Sequence, residues 1–418
     1  MKVLFVATNF PIPPHGGASV ALLETLQSIE DLCELHLLVP HPGTDSAGNI
    51  ALLQQRIPNS TVHFYQPRSS HPARLEKYTT AAVTAFSRRS YHAALCMDKN
   101  LRQAVCNLQG HHRFDIVHCE WLYAAIALEG LKLPVVVRTL DLHSVIMRDG
   151  LEEMPSSKRL RKSFWRLEAE RFRRFEIGIL NDALVIITVS PEDESVLRRE
   201  GVSRLVCIPP PMALPAKLHR AEAAHDVCNA LFLCVLHAAV NREASFLFTD
   251  EIWPLVNAEA RARVKVIFAG GRPDKEARRR AAECGIQVHA PLSDDEARRL
   301  YAEADIFISP IKTGTGIKTK TQEAMANGKP MIGFPNSFRG VPAENGKDAF
   351  IVTSNEGFAR QFEALIADPE LRRRVGESAR KFIDVNFNPK TLGARLIGTY
   401  AEVVEAASPR QMASGRSV

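Results

Sequence analysis

Short apolar segments alternate with longer charged stretches along most of the chain. Each segment is a continuous apolar run, which is typical of parallel strands that helices cover on both faces. The first half contains Val3–Ala7, Leu35–Val39, Ile116–Cys119, Val135–Arg138, Leu184–Val189 and Leu205–Ile208. The second half contains Ala230–Leu236, Val264–Ala269, Gln287–Ala290, Ile306–Ser309, Pro330–Phe334 and Ala349–Val352. Because helical stretches such as Ala18–Glu30 lie between these segments, the pattern predicts an α/β protein with two series of parallel strands.

The chain is too long for a single core. With 418 residues, two domains are expected. Residues 209–226 begin with three prolines and contain no clear strand, so we interpret them as a linker. The predicted Rossmann-like domains are then 1–208 and 227–387. Residues 388–407 are predicted to form a C-terminal helix that packs back toward the first domain, and the small, polar residues 408–418 a disordered tail.

The composition is that of a globular protein, with 45% hydrophobic and 24% charged residues. No run of about 18 apolar residues occurs in the sequence, so no membrane-spanning helix is expected. The net charge of +6 favours anionic partners such as phosphates and nucleotides. The eight cysteines lack metal-ligand spacing and indicate reduced thiols, as in the cytoplasm.

Residues 158–174 combine many lysines and arginines with Phe164, Trp165, Leu167 and Phe172. The spacing predicts a basic amphipathic helix. Two interpretations remain open: a surface helix whose apolar side packs on the first domain, or a contact with an anionic membrane or a lipid-diphosphate acceptor. Nucleic acid is a weaker alternative, since no recognised nucleic-acid motif accompanies the charge.

A glycine-rich loop lies between a predicted strand and a predicted helix in the second half. Gly314 and Gly316 allow the backbone to approach a ligand closely, and the helix N-terminus beyond them favours a phosphate. Lys318 and Lys320 add positive charge. Glu323 lies one turn after Lys320, where its carboxylate can accept hydrogen bonds from ribose hydroxyls. The segment therefore predicts a nucleotide site.

This segment strongly resembles the C-terminal motif of the GT-B-fold retaining glycosyltransferases, specifically glycosyltransferase family 4. Further similarities follow in order along nearly the whole chain, at residues 13–17, 114–118, 189–193 and 241–242. The resemblance implies two facing Rossmann-like domains with a deep cleft. It also implies a hexosyltransferase that transfers a sugar, with retention, from a nucleotide diphosphate sugar to a saccharide or lipid-linked acceptor in bacterial cell-surface polysaccharide synthesis.

The resemblance assigns roles to individual residues. It implies donor binding by Gly16, Gly17, Arg242, Gly314, Thr315, Gly316, Lys318, Lys320 and Glu323. Glu323 would hold the ribose hydroxyls, while Lys320 and Arg242 would face the diphosphate. Thr315 stands where the family usually has a glutamate, eight positions before Glu323. Its hydroxyl can bind a sugar hydroxyl but carries no charge, so the sequence leaves the sugar open.

Polar residues also follow two predicted strands of the first domain. His118 and Glu120 are predicted to be catalytic, because the carboxyl end of a strand faces the crevice of an open sheet. The alternative is that both make structural hydrogen bonds. Asp141 and His143 follow the next strand and are predicted to bind the acceptor. The alternatives are that they bind the diphosphate or are ordinary loop residues.

The expected chemistry needs neither a metal ion nor a cofactor. Lys320, Arg242 and backbone N–H groups would stabilise the leaving diphosphate electrostatically. No metal-binding Asp-x-Asp motif occurs in a plausible loop, and Asp294-Asp295 is interpreted as a helix start. The alternatives are a nucleotide-sugar epimerase of the same fold and a degenerate, non-catalytic subunit. The second is motivated by Thr315 and by Glu120, which stands where the family often has a histidine. We expect a cytoplasmic protein, with peripheral contact to the inner face of the plasma membrane as a further possibility.

Overall fold

The computed structural model describes residues 1–14, 16–43, 46–68, 79–80, 83–84, 90–139, 142–152, 159–215, 227–271, 273–314 and 316–413. The chain divides into two compact units. The first unit contains Met1–Pro210 together with Pro389–Val418, and the second contains Pro211–Asn388. The chain therefore leaves the first unit, forms the whole of the second, and returns to the first.

The first unit is built on a seven-stranded parallel sheet. Its strands are β1 Lys2–Ala7, β2 Glu34–Pro40, β3 Thr61–Tyr65, β4 Ile116–Glu120, β5 Val135–Thr139, β6 Val185–Thr188 and β7 Leu205–Cys207. They lie in the order β3-β2-β1-β4-β5-β6-β7. The central strands are buried on both faces, as continuous apolar runs require.

The helices of this unit alternate with the strands. They are α1 Gly17–Ile29, α2 Ala47–Arg56, α3 Tyr91–Cys96, α4 Lys99–His112, α5 Leu122–Ala127, α6 His143–Glu152, α7 Arg159–Asp182 and α8 Pro191–Arg199. Several begin at a capping side chain: Ser90 precedes α3, Asp98 precedes α4 and Ser190 precedes α8, and each accepts a hydrogen bond from a backbone N–H of the first turn.

The second unit has a six-stranded parallel sheet in the order β10-β9-β8-β11-β12-β13. Its strands are β8 Cys228–Cys234, β9 Val264–Gly270, β10 Gln287–His289, β11 Ile306–Ser309, β12 Met331–Gly333 and β13 Phe350–Ile351. Its helices are α9 Ala239–Leu247, α10 Ala258–Ala262, α11 Lys275–Glu283, α12 Asp294–Glu303, α13 Thr319–Ala326, α14 Asn355–Ala367 and α15 Pro369–Asn386. A π-helical segment Phe248–Ile252 and the 3-10 turns Trp253–Leu255 and Pro335–Phe338 complete it.

The last helix, α16 Pro389–Ala413, belongs to the first unit and packs on α1. Gly393 allows this close approach, because a Cβ atom there would lie 2.1 Å from the carbonyl oxygen of Ser28. The helix continues beyond the predicted end at residue 407. It ends at Ala413, within the segment that is predicted to be a disordered tail. Residues 414–418 lie outside the described residues.

The predicted linker is also partly ordered. The backbone N–H of Met212 donates to the carbonyl of Phe387 at 2.9 Å, and Arg380 Nη2 donates to the carbonyl of Pro215 at 2.9 Å. Residues 211–215 are thus fixed to the end of α15, within the second unit. The remainder of the predicted linker, 216–226, lies outside the described residues.

The α/β prediction is confirmed, and every predicted apolar segment forms a strand. Among the strands of the described residues, β3 is the one that the sequence did not predict. Both sheets have the strand order of a doubly wound Rossmann-like fold. In such sheets ligands bind beyond the carboxyl ends of the two strands at which the order reverses. These strands are β1 and β4 in the first unit, and β8 and β11 in the second.

Candidate active site

Two connections meet at the point of the second unit where the strand order reverses. One follows β8 and leads into α9, and the other follows β11 and leads into α13. They touch at Gly314: a Cβ atom on this residue would lie 3.3 Å from both γ-carbons of Val240, in the first turn of α9. The glycine-rich loop therefore packs directly against the helix that carries Arg242.

The loop conformation depends on its glycines. Gly314 has φ +99° and Gly316 has φ +68°, both in the region that favours glycine. The Lys318 ammonium lies close by, 3.6 Å from where a Cβ atom of Gly314 would be. Lys318 is also the N-cap residue of α13 and provides no side-chain cap. Thr315 lies outside the described residues.

Lys320 and Glu323 form an ion pair one turn into α13. The Lys320 ammonium donates to Glu323 Oε1 at 2.9 Å and to Oε2 at 2.8 Å. The hydroxyl of Tyr301, at the end of α12, donates to Oε2 at 3.1 Å. Burial, reinforced by the charge of Glu323, raises the pKa of Tyr301, so this phenol remains a hydrogen-bond donor. The carboxylate is therefore held in one orientation while part of it stays accessible.

Arg242 lies in the second turn of α9. Its Nε contacts Asp274 Oδ2 at 2.7 Å, and its guanidinium stacks over the ring of Phe246 at 5.0 Å from the centroid. Both members of the ion pair are nearly half exposed. Since exposed pairs contribute little to stability, the guanidinium can exchange Asp274 for a phosphate at small cost. The stacking on Phe246 fixes its position.

The sequence did not single out Tyr301 or Gly270. Gly270 ends β9 with φ +129°, and a Cβ atom there would lie 1.8 Å from the carbonyl oxygen of Cys234, at the end of β8. The two strand ends therefore approach closely only because Gly270 has no side chain. In the sequence, the pair Gly270-Gly271 directly after a predicted strand was the signal from which this close approach could have been predicted. Tyr301 had no such signal, because its helix is charged and typical of the surface.

Replacing Gly314 by alanine is expected to reduce nucleotide binding. The added Cβ is strained at φ +99° and pushes the loop away from Val240, at a cost of about 1–3 kcal/mol. Calorimetry measures the loss of affinity. Gly346→Ala is the matched control, because Gly346 has φ +78° but open space around it. A Gly314→Ala protein that binds nucleotide as well as Gly346→Ala would contradict the role of the loop.

His118 and Glu120 are completely buried in the first unit. His118 Nε2 lies 3.0 Å from Glu120 Oε2, and its Nδ1 lies 2.7 Å from the hydroxyl of Tyr400 in α16. The ring also stacks on Phe5, with centroids 4.1 Å apart. A catalytic group must reach its substrate, and neither side chain has exposed surface. This arrangement corresponds to the structural alternative, and the catalytic role of the two residues stays a prediction.

Arg138 completes this buried network. Its Nη1 lies 3.5 Å from Glu120 Oε1 and donates to Thr25 Oγ1 at 2.8 Å. Burial alone would raise the pKa of Glu120, but the Arg138 charge and the bond to His118 hold that pKa below its usual value. Burial lowers the pKa of His118, against the effect of Glu120. The network therefore contains one ion pair and a neutral imidazole that donates to Glu120 and accepts from Tyr400.

The other predicted site residues of the first unit are Gly16, Gly17, Asp141 and His143. Gly16 is the N-cap of α1 with φ −145°, an extended conformation that any residue adopts, and Gly17 is the first residue of that helix. His143 begins α6, and its ring packs edge-on against Tyr123 with centroids 4.6 Å apart. Asp141 lies outside the described residues.

Helix α7 contains residues 159–174 of the predicted basic segment and continues to Asp182, while Lys158 lies outside the described residues. Its C-terminal part packs on the core through Phe172 and Leu180. The buried Glu176 accepts hydrogen bonds from the backbone N–H groups of His143 and Ser144, each at 3.1 Å, and so caps α6. By contrast, Phe164 and Leu167 are 49% and 53% exposed. Among the described helices, none combines the length and the apolar character that a membrane crossing needs.

Residues 229–368 match the family model described as glycosyl transferases, group 1. The second unit is a group 1 glycosyltransferase domain. The match includes Arg242, the loop at Gly314 and the Lys320–Glu323 pair. The chain is accordingly a glycosyltransferase, and the match disfavours the epimerase that the sequence left as an alternative.

Similar proteins extend over nearly the whole length of this glycosyltransferase. An uncharacterized 44.6 kDa protein in the cps region of Klebsiella pneumoniae is 22% identical over 404 residues, which cover 93% of this chain and 97% of that protein. HepE from Anabaena, solved with UDP and glucose, has a TM-score of 0.65 and 15% identity over 96% of this chain and 99% of that one. Sucrose-phosphate synthase from Thermosynechococcus elongatus has a TM-score of 0.68 and 16% identity, and the match covers 97% of this chain and 100% of that one. The solved structures establish the GT-B fold.

Proposed function

We propose that this glycosyltransferase transfers a sugar, with retention, from a nucleotide diphosphate sugar to a saccharide or lipid-linked acceptor in bacterial cell-surface polysaccharide synthesis. The observation that carries the proposal is the Lys320–Glu323 pair, held by Tyr301 beside the glycine loop at the strand-order reversal. The proposal that the anomeric configuration is retained depends on the resemblance to glycosyltransferase family 4.

The geometry of the pair suits a nucleoside diphosphate. Glu323 presents an oriented carboxylate whose oxygens accept hydrogen bonds from the two ribose hydroxyls. Lys318, Lys320 and Arg242 bring three positive charges to the region of the loop and the start of α13. The helix N-terminus adds backbone N–H groups that favour a phosphate. Together these groups stabilise the negative charge that develops on the diphosphate as the bond to the sugar breaks.

A pocket in the first unit supports a lipid-linked acceptor. It has a volume of about 470 Å³ and lies between α6, α7 and α8. Apolar side chains such as Leu142, Leu151 and Ile177 contribute to its lining. Such a lining fits a hydrocarbon chain.

The rim of this pocket is basic. It includes Arg148, Lys162, Arg166 and Arg173, opposed by Glu170 and Glu200. Both glutamates already pair with Arg173. Arg148 and Arg166 have no ion-pair partner within the described part of the chain. A phosphate or diphosphate head group therefore complements the rim, and the exposed Phe164 and Leu167 suit peripheral contact with the cytoplasmic face of a membrane.

The genomic context named for the Klebsiella pneumoniae relative supports a role in surface polysaccharide, since that protein is described as lying in the cps region. UDP in the HepE structure makes UDP the first nucleotide to test. Screening of candidate donors and acceptors would then identify the donor sugar and the acceptor.

A thermal-shift screen against UDP, GDP, ADP and their sugars tests donor binding. At about one hundred times its Kd, a nucleotide that binds only the folded state stabilises it by about 2.7 kcal/mol, which raises the Tm by roughly 5 °C or more. We expect one nucleotide to do so, and proton NMR of the product to show the donor's anomeric configuration. No shift with any of them would favour the non-catalytic alternative, and an inverted product would refute retention alone.

A further inference from the structure

Three histidines from separate elements meet at one edge of the first unit. His36 lies in β2, His63 lies in the neighbouring edge strand β3, and His112 is the last residue of α4. Strand register brings the first two together, because His36 pairs with Thr61 and Leu38 pairs with His63. One ring nitrogen from each histidine lies within 4.8 Å of those from the other two. Rigid elements therefore hold three metal-ligating side chains in one place.

The ring orientations suit a shared ligand. His36 Nδ1 and His63 Nε2 are 2.9 Å apart, and the two rings stack with centroids 5.2 Å apart. The ring of His112 lies 4.7 Å from that of His36 and 5.8 Å from that of His63. Since an ion bound about 2.0–2.1 Å from each nitrogen needs nitrogens roughly 3.4 Å apart, small side-chain rotations are sufficient.

Glu34 orients the central histidine. Its Oε1 lies 3.2 Å from His36 Nε2, so the imidazole donates its proton there and leaves Nδ1 with a free lone pair facing His63. This carboxylate–histidine arrangement is typical of the outer shell of metal sites, where it fixes the tautomer of the ligand. His36 is only 4% exposed, and Phe114 packs edge-on against its ring at 5.0 Å.

We propose that His36, His63 and His112 bind one divalent transition-metal ion of the class that prefers imidazole, such as Zn²⁺ or Co²⁺. On binding, His63 moves its proton from Nε2 to Nδ1 through solvent, so that the ion takes the place of the hydrogen bond to His36. Water occupies the fourth position.

The site lies away from the strand-order reversal of this unit. His36 and His63 are both the third residue of their strands, on β2 and β3, whereas the reversal lies between β1 and β4 at the carboxyl edge. The ion therefore joins the edge strand and α4 to the sheet and stabilises the fold. It is independent of the transfer reaction.

The test uses the full chain after treatment with a chelator, titrated with Co²⁺ and followed by visible absorption. We expect one Co²⁺ per chain with a nitrogen-ligated spectrum, and Zn²⁺ that competes for the same site and raises the Tm. His63→Gln and His112→Gln are expected to weaken binding at least about tenfold. His111→Gln is the matched control, because His111 is the exposed neighbour of His112.

Three outcomes would overturn the proposal. The first is a wild-type chain that binds no Co²⁺ or Zn²⁺, and the second is unchanged binding in His63→Gln and His112→Gln. The third is a thiolate-to-cobalt charge-transfer band, which would point instead to some of the eight cysteines. Circular dichroism of the metal-free variants separates lost binding from lost folding.

Discussion

Lys320→Ala is expected to reduce kcat/KM for sugar transfer by about 100-fold or more. The ammonium is one of the preorganised charges that stabilise the leaving diphosphate, and removing one such donor costs about 2.7–4 kcal/mol in the transition state. Glu323→Gln is expected to act mainly on KM, because it weakens the contact with the ribose. Steady-state kinetics with the donor found by screening, together with calorimetry of nucleotide binding, separates the two effects.

Two further substitutions calibrate this result. Lys347→Ala removes another lysine that pairs with a glutamate three residues away, Glu344, on the exposed surface of the same unit. It is expected to leave turnover unchanged. Tyr301→Phe removes the hydrogen bond that orients Glu323 and is expected to raise KM several-fold with little effect on kcat. Values of kcat/KM in Lys320→Ala and Glu323→Gln equal to that of Lys347→Ala would refute the donor site.

Arg138→Met is expected to destabilise the first unit by about 3–5 kcal/mol, because it leaves the Glu120 carboxylate buried without its charge partner. Denaturant unfolding measures the change. The double variant Arg138→Met with Glu120→Gln should recover part of the loss, since it removes both charges. The transition of the second unit should not move.

Arg198→Met provides the comparison for this second prediction. It breaks an ion pair with Glu194 in which the arginine is 56% exposed, and such pairs contribute little. If Arg138→Met is no more destabilising than Arg198→Met, the buried network does not hold the unit together.

Most of the sheet could be predicted because parallel strands covered on both faces require continuous apolar runs. Strand β3 did not show such a run, since Thr61 and His63 interrupt it and its side chains are only partly buried. Helix α16 ends at Ala413 rather than at residue 407, because a small, polar composition does not mark where a helix ends.

The candidate donor site was accessible to sequence reasoning because its loop and the Lys320–Glu323 pair lie within ten residues of one another. Tyr301 was not, since it approaches Glu323 only through the fold. The same limit applies to His118. The local sequence around a strand-end histidine does not show whether the side chain faces an open crevice or a covering helix. Here the covering residue, Tyr400, is 282 positions away in the sequence.

The long separation in sequence between His118 and Tyr400 also determines the order in which the two units can be completed during translation. The second unit is continuous and can fold once residue 388 has emerged. The first unit is synthesised earlier, yet Tyr400 and the rest of α16 reach it last. Until then, His118 and its neighbours lack the side chain that covers them. The half of the enzyme that is translated first is therefore the half that matures last.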